Sequence, residues 1–317
     1  MTKSEIFPQA AAAEAESAPA VRTFTTKKEF YKHFKKKSNA YELWARFLKN
    51  DTAVLGMVIF ALIVLVAVFA PLIADYNSVA IKINISGRLQ SPSWGHWFGT
   101  DELGRDILAR IVHGARISLV IGISAIGVSL LVGGAFGAAS GYYGGKLDSV
   151  IMRAMDVFLC LPDVLLALAI VAAFGNTQLN LVIAIGLSFA PKFSRVVRAA
   201  VMTVRDNEYV EAARSIGARD RRIISHHVLI NCMGPIIVQV TLYVASAILT
   251  ISALSFLGLG IAPPTPEWGN MLASGRTFMR DCPYIVMAPG LAIFFTILAL
   301  NLLGDGLRDT LDPRLKQ

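Results

Sequence analysis

Charged residues are scarce in this chain. They make up 16% of its 317 residues, whereas an ordinary soluble domain carries about 25%. Hydrophobic residues reach 55%, and the mean hydropathy is +0.56. This composition excludes an ordinary soluble domain and favours a protein with several membrane-spanning helices.

The sequence also lacks the motifs of common catalytic and nucleotide-binding sites. It has no phosphate-binding loop, because Gly144-Gly145-Lys146 has neither the earlier glycine nor the following hydroxyl residue of that motif. No nucleophile, base and metal ligands converge in the pattern. We therefore expect a chain that is not an enzyme, with no catalytic residue and no cofactor of its own.

Cysteine and histidine give no sign of a disulfide or a metal site. The three cysteines, Cys160, Cys232 and Cys282, are an odd number without close spacing, and the first two lie in or near apolar runs. A structural disulfide is therefore not expected. His226 and His227 are adjacent, so on a helix they point to different faces and do not form a metal-binding pair.

The net charge of +8 is unevenly distributed. Basic residues concentrate in the N-terminal arm, at 192–222 and at the C-terminus. This distribution is typical of the positive-inside bias of membrane proteins and not of a nucleic-acid-binding stripe. Nucleic acid is thus not expected as a partner, and membrane lipid is.

Apolar runs of about 20 residues predict six spans. They lie at 53–74, 117–139, 151–174, 179–198, 232–258 and 285–304. Six spans place both termini on one side, and the lysine-rich arm identifies that side as the cytoplasm. The third run contains Asp156 and Asp163, which in another interpretation mark the proton pathway of an ion-coupled secondary transporter.

The spans divide the chain into three parts. Residues 1–50 form a cytoplasmic arm, 51–116 hold the first span and an extracytoplasmic segment, and 117–317 form a core of five spans. Within the arm, 1–26 are expected to be disordered and not a cleaved signal peptide. The stretch 27–50 is either an amphipathic helix on the anionic membrane surface or a basic flank of the first span.

The loop at 199–230, between the fourth and fifth spans, contains a short amphipathic helix. Tyr209, Ala212, Ala213 and Ile216 are spaced as one apolar stripe, flat enough for the groove of another protein. Asp206 or Asn207 is expected to cap the helix, and Gly217 to end it in the left-handed conformation. The alternative is an amphipathic surface loop without a partner.

Two segments are expected outside the membrane. In the first, Thr100 is predicted to cap a helix whose first turn carries Asp101 and Glu102. The second, 263–269, holds three prolines within four residues, which makes the backbone rigid before any partner binds. Trp268 in this segment fits either a docking anchor or the aromatic belt at the membrane surface.

Several separate motifs resemble the permeases of ATP-binding-cassette importers. Glu-Ala-Ala with glycine four residues after the second alanine, at 211–217, is similar to the EAA loop of these permeases. The stretches 208–214 and 227–231 are similar to the oligopeptide/dipeptide (peptide/nickel) branch, second (C-type) subunit. Phe-Gly-Thr-Asp-x-x-Gly-Arg-Asp at 98–106 and Pro-Pro-Thr-Pro-Glu-Trp-Gly at 263–269 also resemble this family. The resemblance covers about 41–317. One departure is Ile230, where the family commonly has proline, so a softer kink is expected there.

The resemblance implies an all-α integral membrane protein with the type I importer permease fold and a cytoplasmic coupling helix. It implies a bacterial inner-membrane location and four partner chains in addition to lipid: a second homologous permease, two ATPase subunits that bind ATP and magnesium, and an extracytoplasmic binding protein. The implied substrates are di- or oligopeptides, with glutathione and nickel chelates as alternatives within the family.

The resemblance also implies roles for individual residues. Those expected to contact the ATPase are Glu208, Tyr209, Glu211, Ala212, Ala213, Ile216, Gly217 and Ala218. Those expected to line the translocation path are Gln239, Tyr243 and Ser246, whose polar side chains serve equally for helix packing. Those expected to meet or brace the binding protein are Asp101, Arg105, Pro264, Glu267 and Trp268.

Overall fold

A computed structural model describes residues 39–311 of the chain. The predicted disorder of 1–26 and the first part of the predicted amphipathic helix lie outside the described residues. Two units are distinguished, 1–44 and 45–317. Among residues 39–311 the structure is helical, with no β-strand and one isolated bridge between Thr100 and Asp106.

Twelve α-helices follow one another in the described part of the chain. In order they are α1 Asn39–Phe47, α2 Asp51–Val68, α3 Ala70–Ile73, α4 Ile107–Tyr143, α5 Gly145–Leu159, α6 Asp163–Phe174, α7 Gln178–Val204, α8 Glu208–Ser215, α9 Asp220–Arg222, α10 Met233–Phe256, α11 Trp268–Gly275 and α12 Tyr284–Leu311. A π-helical segment, Ile223–Val228, and a 3-10 turn, Leu229–Cys232, join α9 to α10.

Five helical stretches are long and apolar enough to cross a membrane, and a sixth is present if a bent pair of helices is one span. The predicted third span, 151–174, corresponds to this bent pair, in which α5 and α6 meet at an angle of 85°. The bend falls at Pro162, which precedes the first residue of α6, and proline disfavours a helical residue before it.

The second span begins earlier than the sequence predicts. α4 starts at Ile107, where Asp106 accepts a hydrogen bond from the backbone NH of Ala109 at 2.8 Å. The predicted helix from Thr100 is wrong, since Thr100 lies in a folded loop and its hydroxyl donates to the carbonyl of Gly87 at 2.5 Å. Both Thr100 and Asp106 are residue types that can cap a helix. The helix begins after Asp106 because tertiary contacts hold Thr100 in the loop.

α4 and α7 form the most intimate helix pair of the bundle. Gly133, Gly137 and Gly141 are spaced four residues apart on α4, and each faces the backbone of α7 so closely that a Cβ atom has no room. At Gly141, for example, it would lie 2.9 Å from the carbonyl oxygen of Arg198. Small residues at this spacing allow membrane helices to approach closely.

Replacing Gly137 by isoleucine should therefore separate α4 from α7. A Cβ at this position collides with the backbone oxygen of Ser194, which has no room to move away. Gly134→Ile is the matched control, because its Cβ meets only the flexible Leu130 side chain, at 3.6 Å. We expect a lower melting temperature and poor recovery of monodisperse protein for Gly137→Ile alone. Equal behaviour of the two variants would contradict this packing.

Two apolar clusters lie within residues 45–311. The larger lies among α4, α7 and α10, and includes Phe189, Ile248 and Trp268. The smaller lies where α4 and α7 end. In it Val201 of α7 packs with Val210 of α8 and with Ile223 of the π-helical segment. We call the end of the bundle that carries α8 the basic end. The loops 75–106 and 257–283 lie at the opposite end, next to the start of α4 and the end of α10.

Candidate functional site

α8 is a short helix with well-defined ends. Asn207 precedes it with an extended backbone, although its side chain makes no capping hydrogen bond. At the other end Gly217 has φ of +81°, as the sequence predicts. The amide of Ala218 bonds to the carbonyl of Ala213 at 3.1 Å, and that of Gly217 to Arg214 at 3.0 Å. These two bonds form a Schellman motif, which fixes where α8 stops.

The two faces of α8 differ in what they contact. Val210 and Ala213 are buried in the smaller apolar cluster, against Ile223. Tyr209 is exposed, and Ile216 is 85% exposed. The outward face also carries Glu208, Glu211 and Ala212. The outward face of α8, formed by these five exposed residues, is thus a surface without a partner within residues 39–311.

The prediction that Ala213 belongs to the outward stripe is wrong. Ala212 and Ala213 are adjacent, so they differ by about 100° around the helix, and only Ala212 points away from the bundle. Ala213 instead holds α8 on the bundle. Residue spacing alone could not show which face of α8 is buried, because Val210 and Ala213 form a second apolar stripe.

Tyr142, at the end of α4, connects α8 to the start of α9. Its hydroxyl donates to Asp220 at 2.8 Å and accepts from the guanidinium of Arg214 at 3.5 Å, and that guanidinium also lies 5.7 Å from the ring centroid. Arg205, just after α7, donates to the carbonyl of Gly141 at 2.7 Å. The last turn of α8 is therefore attached to α4 through Arg214 and Tyr142, and Arg205 joins the ends of α7 and α4 just before α8 begins.

Three ion pairs join α7 to the bent pair of helices. They are Arg198 with Asp148, Arg195 with Asp156, and Lys192 with Asp163. The guanidinium of the first pair bonds to both carboxylate oxygens at 2.6 Å. The basic partners are three residues apart on α7, so they lie along one face of that helix. We call these three pairs the ion-pair ladder.

A polar stripe runs along α10. Gln239, Tyr243 and Ser246 are spaced as one helix face, and all three are partly or fully exposed. The Tyr243 ring contacts two aromatic rings of α7, with centroids 5.6 Å from that of Phe189 and 4.9 Å from that of Phe193. The structure thus brings the three residues predicted for a translocation path onto one surface beside α7.

Comparison with known proteins identifies the family. Residues 132–317 match the family described as binding-protein-dependent transport system inner membrane component, and 38–92 match the N-terminal TM domain of oligopeptide transport permease C. The first match covers more than half of the chain. The chain belongs to the binding-protein-dependent inner-membrane permeases.

Similar proteins agree with this permease family. A dipeptide transport system permease protein of Alkalihalophilus pseudofirmus is 46% identical over 275 residues, which is 87% of this chain and 90% of the relative. A di/tripeptide permease of Pseudomonas aeruginosa is 47% identical over 281 residues, covering 87% and 92%. A glutathione permease of Escherichia coli is 42% identical over 276 residues, covering 87% and 91%.

A solved structure supports the fold of the permease. The inward-facing MetNI methionine ABC transporter aligns with a TM-score of 0.55 at 13% identity, over 65% of this chain and 98% of that chain. At this identity the likeness concerns the fold alone. It confirms the expected type I importer permease fold, which the structure shows as an all-helical bundle.

Four of the five residues predicted to meet a binding protein are buried in the permease. Asp101 and Arg105 form an internal ion pair at 2.7 Å, with Arg110 3.4 Å from the same carboxylate oxygen. Glu267 is buried and accepts hydrogen bonds from two backbone amides at the start of α11, each at 2.8 Å. Burial raises the pKa of Glu267, and these amides oppose the shift.

Trp268 is neither a docking anchor nor part of an aromatic belt. Only 1% of it is exposed, and its Nε1 donates to the carbonyl of Ile111 in α4 at 3.0 Å. The direct-contact role predicted for Asp101, Arg105, Glu267 and Trp268 is therefore wrong in this conformation. They brace the loops instead. Pro264 alone of the five is exposed.

Sequence reasoning missed the ion-pair ladder and the glycine row on α4. The ladder was visible only as isolated charges in apolar runs, because its acidic and basic members are 29 to 50 residues apart. The glycine row could have been predicted from the sequence, since three glycines at a spacing of four in an apolar segment indicate close helix packing.

Proposed function

We propose that this permease carries short peptides across the inner membrane of a bacterium, driven by ATP hydrolysis in two partner ATPase subunits. A second homologous permease subunit and an extracytoplasmic peptide-binding protein complete the transporter. The observation that carries the proposal is the outward face of α8. It is apolar at Tyr209, Ala212 and Ile216, while the opposite face of α8 packs into the smaller apolar cluster at the ends of α4 and α7.

The mechanism follows from how α8 is held. When ATP closes the two ATPase subunits, the surfaces that contact α8 move. α8 transfers that motion to α4 through Arg214 and Tyr142, and Arg205 joins the end of α7 to α4. The Arg198–Asp148 pair, which is bonded through both carboxylate oxygens, makes α5 follow α7. Movement of packed helices as units is how such bundles alternate between outward and inward access.

The ion-pair ladder also bears on the alternative of an ion-coupled secondary transporter. Asp156 and Asp163, the two carboxylates considered for a proton pathway, are each paired with a cation of α7. Each carboxylate therefore makes a helix-to-helix contact that accounts for its presence in an apolar run without a transported proton. This arrangement favours the ATP-driven permease.

The substrate assignment is tested by reconstituting the complete transporter in proteoliposomes with its binding protein. We expect ATP-dependent uptake of a radiolabelled dipeptide. Relatives named for dipeptides and di/tripeptides are 46% and 47% identical, and those named for glutathione are 42% identical. Uptake of glutathione or a nickel chelate in preference to every dipeptide would overturn the peptide assignment. Uptake driven by a proton gradient without ATP would overturn the mechanism.

We further propose that the basic end and both termini lie in the cytoplasm. Two strongly exposed residues at opposite ends test this orientation: Trp94, which is 96% exposed, and Ile216. In a chain without native cysteines, Trp94→Cys should react with a membrane-impermeant thiol reagent in spheroplasts. Ile216→Cys should react only in inverted vesicles stripped of the ATPase. The reverse pattern would show the opposite membrane orientation and place α8 outside the cytoplasm, away from ATP.

A further inference from the structure

An ion pair lies near the middle of α7. Lys192 is near the centre of α7, about 20 Å from either end at 1.5 Å per residue, and its Nζ contacts the Asp163 carboxylate at the start of α6. Charged side chains at this depth of a membrane protein face the bundle interior or a water-filled cavity, and they often mark a substrate path.

This pair is partly accessible, as are the other pairs of the ion-pair ladder. The side chains of Lys192 and Asp163 are 34% and 23% exposed, whereas those of the sealed pair Arg105 and Asp101 are 4% and 6% exposed. What distinguishes Lys192 and Asp163 within the ladder is their place beside the polar stripe of α10. A partly open pair can be approached by a third charged group.

The open side of the pair adjoins the polar stripe of α10. Lys192 Nζ lies 5.1 Å from the ring centroid of Phe189, which itself contacts Tyr243. Tyr243 is also within electrostatic range of Asp163 and within interaction range of Gln239. Lys192, Asp163, Tyr243 and Gln239 thus form one partly exposed surface with a cation, an anion and two neutral polar groups, and the buried Phe189 ring lies beneath it. We call this surface the midplane patch.

We propose that the midplane patch is a transit site for the two charged ends of a zwitterionic peptide, with Lys192 receiving its carboxylate and Asp163 its ammonium group. The inference rests on the proposed function and assigns a binding site within it. Tyr243 and Gln239 supply the hydroxyl and the amide that would donate hydrogen bonds to the peptide backbone, and the buried Phe189 ring supports Tyr243 from behind.

The presence of both charges explains why the ligand should be a zwitterion. When the site is empty, Lys192 and Asp163 compensate each other, so no unpaired charge remains at this depth. A zwitterion replaces that pair with two new pairs. A simple anion or cation would occupy one partner and leave the other uncompensated, which is strongly unfavourable.

The first test neutralises the whole pair in the complete reconstituted transporter. Asp163→Asn combined with Lys192→Gln removes both charges and leaves none unpaired, a change that is often tolerated by a folded protein. We expect dipeptide uptake to fall about tenfold, the effect of losing one charged hydrogen bond. Copurification of the ATPase subunits and stimulation of ATP hydrolysis by the binding protein should stay within about twofold of wild type.

The matched control neutralises the next pair of the ion-pair ladder, Asp156→Asn with Arg195→Gln. This pair joins α7 to the same bent helices, but lies outside the midplane patch. Its uptake should remain near that of wild type. Normal uptake by the Asp163/Lys192 variant would overturn the proposal, because the pair would then not be needed for transport. Equal loss of uptake and of stimulated hydrolysis would also overturn it, because a purely structural pair predicts that result. Failure of the wild-type transporter to take up dipeptides would instead contradict the proposed function.

A second test leaves the ion pair intact, and so it does not depend on how well the neutralised pair folds. Gln239→Cys, in a chain without native cysteines, places a thiol beside Tyr243 in the midplane patch. A millimolar free dipeptide should slow modification of this thiol by a methanethiosulfonate reagent at least about threefold, a shift set by site occupancy. The same dipeptide with acetylated and amidated ends should give no protection. Equal protection by both peptides, or by neither, would overturn the proposal.

Discussion

Replacing Ala212 by aspartate should abolish transport while the permease remains folded. Ala212 lies on the outward face of α8, between Tyr209 and Ile216, and its side chain contacts nothing within residues 39–311 that the change would disturb. In a closed contact with an ATPase subunit, however, the new carboxylate would be desolvated without a partner. We expect uptake to fall at least about tenfold, because leaving a desolvated charge unpaired at this contact costs more than the ~1.4 kcal/mol that equals a tenfold change.

The neighbouring alanine provides the control for this prediction. Ala213→Asp places the same carboxylate inside the smaller apolar cluster, next to Val210 and Ile223. It should destabilise the permease itself, with a lower melting temperature and reduced yield. The two variants therefore differ by one position and should fail in different ways. If Ala212→Asp also lowered the melting temperature, or retained wild-type uptake and ATPase copurification, its face would not be the coupling surface.

Trp268→Ala should produce the largest loss of stability of any single substitution at the end of the bundle opposite α8. The indole is almost fully buried, and it donates a hydrogen bond to the carbonyl of Ile111. Removing a buried tryptophan leaves a cavity and costs about 3–5 kcal/mol. We expect poor expression and a clearly lower melting temperature in detergent, whatever partner is present.

Trp94→Ala is the matched control, because Trp94 is exposed on the loop 75–106 and should be nearly neutral for stability. Trp268→Phe should recover part of the stability by filling most of the cavity, but not the hydrogen bond. Normal stability of Trp268→Ala, with weaker stimulation of hydrolysis by the binding protein, would restore the docking interpretation that the burial of Trp268 contradicts.

Helix positions and the coupling loop could be predicted from the sequence because their signals are local. Apolar runs of membrane length identified α2, α7, α10 and α12 closely, since a bilayer sets the length of a span. Gly217 was recognised as a helix end because a left-handed residue there favours glycine. These signals need no knowledge of what packs nearby.

The failures concern residues whose role depends on distant partners. Asp101 was read as part of a first helical turn, although Arg105 and Arg110 hold it inside a folded loop. Trp268 was placed at a surface because its nearby prolines suggest an exposed loop, and its partner Ile111 lies 157 residues away in the chain. The bend before Asp163 had a local signal in Pro162, but the apolar run concealed it.

The most direct test of coupling through α8 is photocrosslinking from Ile216 in the assembled transporter. A benzophenone side chain introduced at this position should crosslink to an ATPase subunit, because Ile216 is 85% exposed on the outward face of α8. The same probe at Trp94 should give no ATPase adduct. An adduct from Ile216 that contains only lipid or the binding protein, or an ATPase adduct from Trp94, would contradict the assignment of α8 as the coupling helix.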